Sequence, residues 1–235
     1  MDSTDPKNFK KNITPKKARE LQLKLREKVT EKNQFDKIKI ICGIDLSIIK
    51  DNKILICGIV NFTYPELEII EQVSRVVNET FPYIPGLLSF REGPAILETM
   101  KDLKHAPDLL VFDGHGIAHP RGLGIASYIG VLLDKPTIGI AKKKLFGNYE
   151  QPENEAGKFS YLLHPLDKKV IGAVLRTKNN VNPVFVSVGH KITLEKALEL
   201  CLVFIRGYRI PEPTRQAHMF VNEVRREMLE NKLRV

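Results

Sequence analysis

The sequence predicts an α/β protein built on one mixed sheet, an antiparallel meander followed by parallel strands, with helices on both faces. Three observations predict it. Strand-like runs at 37–49, 53–64 and 67–77 are separated by connections too short for a crossover helix, which favours antiparallel hairpins. From residue 95 onward, helical and strand-like runs alternate instead, the signature of parallel units. Two of the later runs, DLLVF and TIGIA, are apolar almost throughout, as strands covered on both faces must be.

The elements follow in order. Residues 1–12 are polar and read as a flexible tail, leaving 13–235 as a single domain. Thr14-Pro15 is a helix-start signal, with Thr14 as N-cap and Pro15 at the first helical position. Ala18, Leu21, Leu25 and Val29 then form a narrow apolar stripe among charged residues, the pattern of a helix lying on the domain surface. Asp51-Asn52 marks a tight turn between the first two strands. Gly93-Pro94 is read as opening a helix over 95–105, which leaves Glu92 on the preceding loop. A strand at 108–114, a helix at 123–134 and a strand at 137–143 come next. The polar stretch 147–160 is a loop, strands follow at 170–177 and 183–189, and helices at 193–208 and 213–231 close the chain.

A chain of 235 residues can bury a core without staples, and 43% hydrophobic with 28% charged residues is ordinary for a soluble protein. No apolar run approaches the roughly 18 residues of a membrane span. Cys42, Cys57 and Cys201 are odd in number and lack metal spacing, so they predict a reducing, cytosolic setting rather than disulfides. A net charge of +9 points toward an anionic partner, nucleic acid being the commonest.

Three carboxylates stand out. Asp45 ends the run IKIICGI, Asp113 ends DLLVF, and Glu92 lies in SFREGP. Singly, each has an ordinary role: the aspartates can cap loops, and Glu92 can complement a helix N-terminus. Together they permit another reading, because in this strand order the first strand and the first parallel strand can be neighbours. Their acids then converge at strand ends, where open α/β sheets place their sites. Clustered carboxylates repel one another unless a divalent cation neutralises them, and an all-oxygen site suits Mg²⁺ or Mn²⁺. With a basic protein around it, such a site points to phosphodiester hydrolysis. Lys142 ends another core strand, either as a solvated flank or as a phosphate ligand. His218, on the last helix, is either a structural histidine or a site residue. His115 and His119 lie among glycines, so a helical zinc geometry does not apply.

The stretches GIDLS (43–47), FPYIPGLLSFREGP (81–94), LLVFDGHGIAHPRGLGIAS (109–127), PTIGIAKKKLFG (136–147) and PEPTRQAH (211–218) resemble endonuclease V, a repair nuclease family with a ribonuclease-H-like fold. The resemblance implies that Asp45 and Asp113 ligate Mg²⁺, with Glu92 at the same centre directly or through water. It implies that His218 assists metal or water positioning and that Lys142 supports the reacting phosphate. Tyr83, held in the loop Pro82-Tyr83-Ile84-Pro85, becomes the wedge that fills the gap left by an extruded base. Gly86, Leu88, Gly114, His119, Gly124 and Ile125 become the wall of a pocket for hypoxanthine. Tyr128 departs from the family, which often has histidine there. His115-Gly116, as in prokaryotic members, tilts the expected substrate toward DNA.

The implied activity is a monomeric, Mg²⁺-dependent endonuclease that recognises deoxyinosine in DNA. It hydrolyses the second phosphodiester 3′ to the lesion and leaves 3′-hydroxyl and 5′-phosphate ends. Inosine-containing RNA is the alternative substrate. A structure-specific ribonuclease-H-like nuclease and a non-catalytic nucleic-acid-binding module are the rival readings.

Overall fold

A computed structural model describes residues 13–49 and 53–233. The expected tail at 1–12 and the Asp51-Asn52 turn lie outside the described residues. The strands are β1 (Ile40–Ile49), β2 (Ile54–Thr63), β3 (Ile69–Asn78), β4 (Leu109–Phe112), β5 (Thr137–Ala141), β6 (Phe159–Leu163), β7 (Val170–Leu175) and β8 (Val184–His190). All belong to one sheet, ordered β3-β2-β1-β4-β5-β8-β7-β6. The meander β1–β3 is antiparallel and β4 and β5 run parallel to β1, whereas β8 pairs antiparallel with β5, β7 with β8 and β6 with β7. The parallel part is therefore three strands wide. β6 emerges from the end of the stretch expected as loop, with Phe159 and Ser160 as its first residues.

Among the described residues, five α-helices cover the sheet: α1 (Pro15–Arg26), α2 (Leu88–Thr99), α3 (Ile125–Leu133), α4 (Leu194–Val203) and α5 (Glu212–Leu233). The alternation of side chains along a strand divides the core between the two faces. Cys42, Ile44, Leu110 and Phe112 point toward α1, α2 and α3, where they meet Leu25, Phe90, Ile96 and Ile129. Ile41, Leu109, Val111 and Val186 point the other way, toward α4 and α5, and pack with Leu200, Phe204 and Ala217. The three cysteines are buried and unbridged.

Thr14 caps α1 as its sequence predicts, its hydroxyl accepting from the Lys17 N–H at 3.3 Å. α2 begins at Leu88, two turns before the expected start, so Pro94 lies inside it and Glu92 is helical rather than in a loop. A proline can sit within a helix when packing outweighs the one lost hydrogen bond. Here Phe90 packs its ring 5.2 Å from that of Tyr128, and Gly93 lets the Tyr128 ring lie directly against the backbone. β1 ends where the strand-like run 37–49 ends, so Asp45 lies within the strand and only the parallel pairing stops before it. β1 continues to Ile49 because β2 pairs with it along its whole length, after β4 has stopped at Phe112.

Candidate active site

The geometry of the site follows from where the parallel ladder ends. Its last β1·β4 pair is Ile44 with Phe112, and its last β4·β5 pair is Phe112 with Gly139. Asp45 and Asp113 are the next residues on their respective chains, and Lys142 follows β5 directly. The Asp113 N–H still reaches the Ile44 carbonyl, at 3.4 Å. Three adjacent strands thus deliver two carboxylates and an ammonium to the C-terminal edge of a parallel sheet segment, where α/β sheets bind their ligands. Lys142 Nζ forms an ion pair with Asp113 Oδ2.

His218 arrives from the opposite end of the sequence. It stands near the start of α5, and its Nδ1 lies 2.7 Å from Asp45 Oδ2. Asn222, one turn further on, places its amide nitrogen 3.2 Å from His218 Nε2. One ligand atom from each of Asp45, Asp113 and His218 falls within 4.8 Å of the others, a trio able to hold a metal ion. Glu92 contributes no atom to this trio, but it faces both aspartates from α2. Its pKa is pushed up to about 8, first by burial and then by the Asp45 charge, with Asp113 adding to the effect and Arg91 opposing it. Asp45 is also raised, by burial and then by Asp113, with the His218 hydrogen bond working against both. Buried carboxylates that raise one another's pKa gain from a proton or a cation, and their oxygens are hard donors. The residues therefore fit a divalent metal.

The glycine-rich turn after Asp113 is stitched to β8. The Gly116 N–H donates to Ser187 Oγ at 2.8 Å, and the Ile117 N–H donates to the Val188 carbonyl at 2.8 Å. A Cβ on Gly116 would lie 1.9 Å from that carbonyl oxygen, so only glycine permits the approach. The expected pocket residues meet in pairs. Gly114 lies against Ile125, and Gly124 backs onto the carbonyls of His115 and Gly116. The His119 ring hydrogen-bonds to the Gly86 backbone. Leu88 is exposed at the first position of α2. In the loop before it, Pro82 and Pro85 are exposed and Ile84 packs on the core. Tyr83 is 64% exposed, with the Arg91 guanidinium 5.7 Å from its ring centre. Tyr128, the family departure, is a fully buried core residue.

Sequence reasoning passed over Gln22, Arg121 and Asn222. Gln22 is wholly buried and hydrogen-bonded to the loop of Tyr83 and to the glycine turn. Its spacing carried a signal: it stands four residues after Ala18 and three before Leu25, a polar residue on the buried stripe of α1.

Comparison with known proteins gives the family and the fold. The family model for Endonuclease V matches residues 23–219. Endonuclease V of Thermosipho melanesiensis is 45% identical over 218 residues, 93% of this chain and 94% of that protein. The crystal structure of Endonuclease V from Streptomyces avermitilis superposes with a TM-score of 0.87 at 35% identity, covering 96% of this chain and 98% of that one. Endonuclease V of Ciona intestinalis, in complex with a 24mer DNA containing an inosine followed by a ribo-adenosine, superposes with a TM-score of 0.79 at 27% identity, covering 89% and 96%. This chain belongs to the Endonuclease V family.

Proposed function

We propose that this protein is a DNA repair endonuclease that recognises deaminated bases, chiefly deoxyinosine, and hydrolyses the second phosphodiester 3′ to the lesion. The observation that carries the reading is the convergence of Asp45, Asp113, Lys142 and His218 at the end of the parallel ladder. The inosine-containing DNA bound by the Ciona relative supports the substrate class.

In this reading Asp45 and Asp113 hold Mg²⁺, or Mn²⁺ in its place, with Glu92 at the same centre directly or through water. The metal, when bound, supplies a Lewis acid for the phosphate and lowers the pKa of water. Lys142, which pairs with Asp113 in this structure, would offer its ammonium to the non-bridging phosphate oxygens when that carboxylate holds a cation. His218 keeps Asp45 oriented through the 2.7 Å contact. Tyr83 fills the stack vacated by the extruded base, and backbone groups from Gly86, Gly114 and Gly124, with Leu88, Ile125 and His119, form the wall that receives it. Products carry 3′-hydroxyl and 5′-phosphate ends. Residues 13–235 act as one catalytic domain, a reading supported by the single sheet that every strand among the described residues joins. The enzyme works as a monomer in a reducing, cytoplasmic setting, and its free, buried cysteines support the reducing compartment.

The test is an end-labelled strand carrying one deoxyinosine, incubated with Mg²⁺, with Mn²⁺ or with chelator, beside inosine-free DNA and inosine-containing RNA. The expected result is metal-dependent nicking at a single position, the bond between the 3′ neighbour of the lesion and the nucleotide after it. Equal cutting of inosine-free strands supports a structure-specific nuclease instead. Absence of cutting, with Asp113→Ala binding the strand as well as the wild type, supports a binding module.

A further inference from the structure

The amide of Gln22 joins three segments that are far apart in sequence. Its Nε2 donates to the Gly86 carbonyl at 3.1 Å and to the Leu123 carbonyl at 2.8 Å. Its Oε1 accepts from Arg121 Nε, and Arg121 Nη2 donates to the same Gly86 carbonyl. Gly86 closes the loop that presents Tyr83, and Leu123 and Arg121 belong to the glycine turn. Helix α1 is thus the third side of a hydrogen-bonded triangle whose other sides are the wedge loop and the pocket wall. One turn further along α1, Arg26 packs so closely on Gly122 (φ +64°) that a Cβ there would lie 2.4 Å from Arg26 Nε.

An α1 that served only to cover the sheet would not need this residue. Its buried neighbours Ala18 and Leu25 make apolar contacts, and an apolar side chain at position 22 would pack without desolvating an amide. Gln22 instead has zero exposure, and both ends of its amide are bonded outside its own helix. A buried polar network with every member satisfied fixes one arrangement of the segments it joins. Gly86, moreover, has φ +76°, and a Cβ there would lie 2.6 Å from Arg121 Nη2, so the loop is shaped to let the guanidinium in. We infer that Gln22, together with Arg121, is a positioning residue that locks the Tyr83 loop against the glycine turn, so that base extrusion and base capture occur in register.

The inference rests on the proposed function, since it assigns the wedge to Tyr83 and the pocket to the turn. Its distinctive consequence is a dependence on duplex structure. A duplex must be unstacked and opened by a correctly placed wedge, whereas a single strand offers its base with little of that cost. Misplacement by about 1 Å is enough to cost roughly a hundredfold in rate where geometry matters.

The experiment uses the full chain with Gln22→Met, which keeps the volume and removes the amide, and Gln22→Glu, which keeps the acceptor for Arg121 and removes both donors. Single-turnover cleavage is measured on one inosine-containing sequence, as a duplex and as a single strand. In parallel, 2-aminopurine beside the lesion reports unstacking in chelator, where no cleavage intervenes. The expected result is a loss of about tenfold or more on the duplex, with the single strand changed less than threefold, and loss of the fluorescence rise on binding. An equal fall on both substrates, or no fall on either, overturns the inference. If Gln22→Met does not fold, Arg121→Lys, which keeps the charge and loses the second link to Gly86, is held to the same two outcomes. Failure of the wild type to cut inosine strands at all is a different result, and it overturns the function rather than the latch alone.

Discussion

Gly43 and Pro213 are pressed together so closely that a Cβ on Gly43 would lie 2.0 Å from the Pro213 carbonyl oxygen. The contact seats the first turn of α5 on β1, two residues before Asp45. It is the reason a histidine five residues after Pro213 can reach Asp45 at 2.7 Å. Gly43→Ala therefore has to lift α5 off the strand. Overpacking of this kind costs about 1–3 kcal/mol. We expect a lower Tm in thermal unfolding and a cleavage rate reduced beyond what the unfolded fraction explains. A rate unchanged once folding is corrected for would show that the His218–Asp45 contact does not depend on this seat.

His218 itself is half exposed, so its removal opens no cavity. It nevertheless opposes the burial and the Asp113 charge that raise the Asp45 pKa. His218→Ala is expected to leave the free energy of unfolding within about 0.5 kcal/mol of the wild type, as for surface changes generally. Single-turnover cleavage should fall by at least tenfold, about 1.4 kcal/mol in the barrier. Binding to an inosine strand in chelator should persist. A rate within twofold of the wild type would remove His218 from the site.

Much of this arrangement was legible in the sequence because it depends on short-range pattern. Alternating and apolar runs located the strands, and the order of strands and helices made Asp45 and Asp113 neighbours. The limits of α2 were not legible, since Pro94 is a strong local punctuator and what overrides it is a tertiary contact, Phe90 and Gly93 against Tyr128. That the parallel pairing stops one residue before Asp45 depends on β4 being shorter than β2, which no local pattern states. Gln22 was missed for a related reason: glutamine is common on exposed helix faces, and its partners lie 64 and 101 residues away.

His119 provides a pH signature. Burial, and then the Arg121 charge, push its pKa down to about 4. The ring is therefore neutral in the fold, while in the unfolded chain it takes up a proton below about 6.5. A depressed histidine contributes stability that is fully present above the unfolded value and is lost as pH falls from about 6.5 toward 4. The full effect is worth about 3 kcal/mol at most. His119→Gln should lose stability at pH 7 but show a flatter dependence of Tm on pH across that window. Parallel wild-type and variant curves between pH 7 and 4.5 would mean that the His119 environment is more open than its burial indicates.

Tyr83 is the residue for which position and exposure argue most directly for contact with a partner. Its ring is 64% exposed on a loop with proline on both sides, and Arg91 below it is anchored to Glu79 at 2.8 Å. A large apolar ring held out to solvent by stiff backbone does little for the fold, so Tyr83→Ser should leave Tm nearly unchanged. It should weaken duplex cleavage, because stacking of a base on an aromatic ring is worth about 1–3 kcal/mol, or roughly 5- to 150-fold. Tyr83→Phe separates the two properties of the side chain. If the ring acts by filling the vacated stack, phenylalanine retains the wild-type rate. If the hydroxyl makes the decisive contact, phenylalanine falls with serine. The wedge reading requires the first outcome, measured as single-turnover cleavage of an inosine-containing duplex. Equal losses for Tyr83→Phe and Tyr83→Ser would replace stacking with a hydrogen bond as the function of this loop.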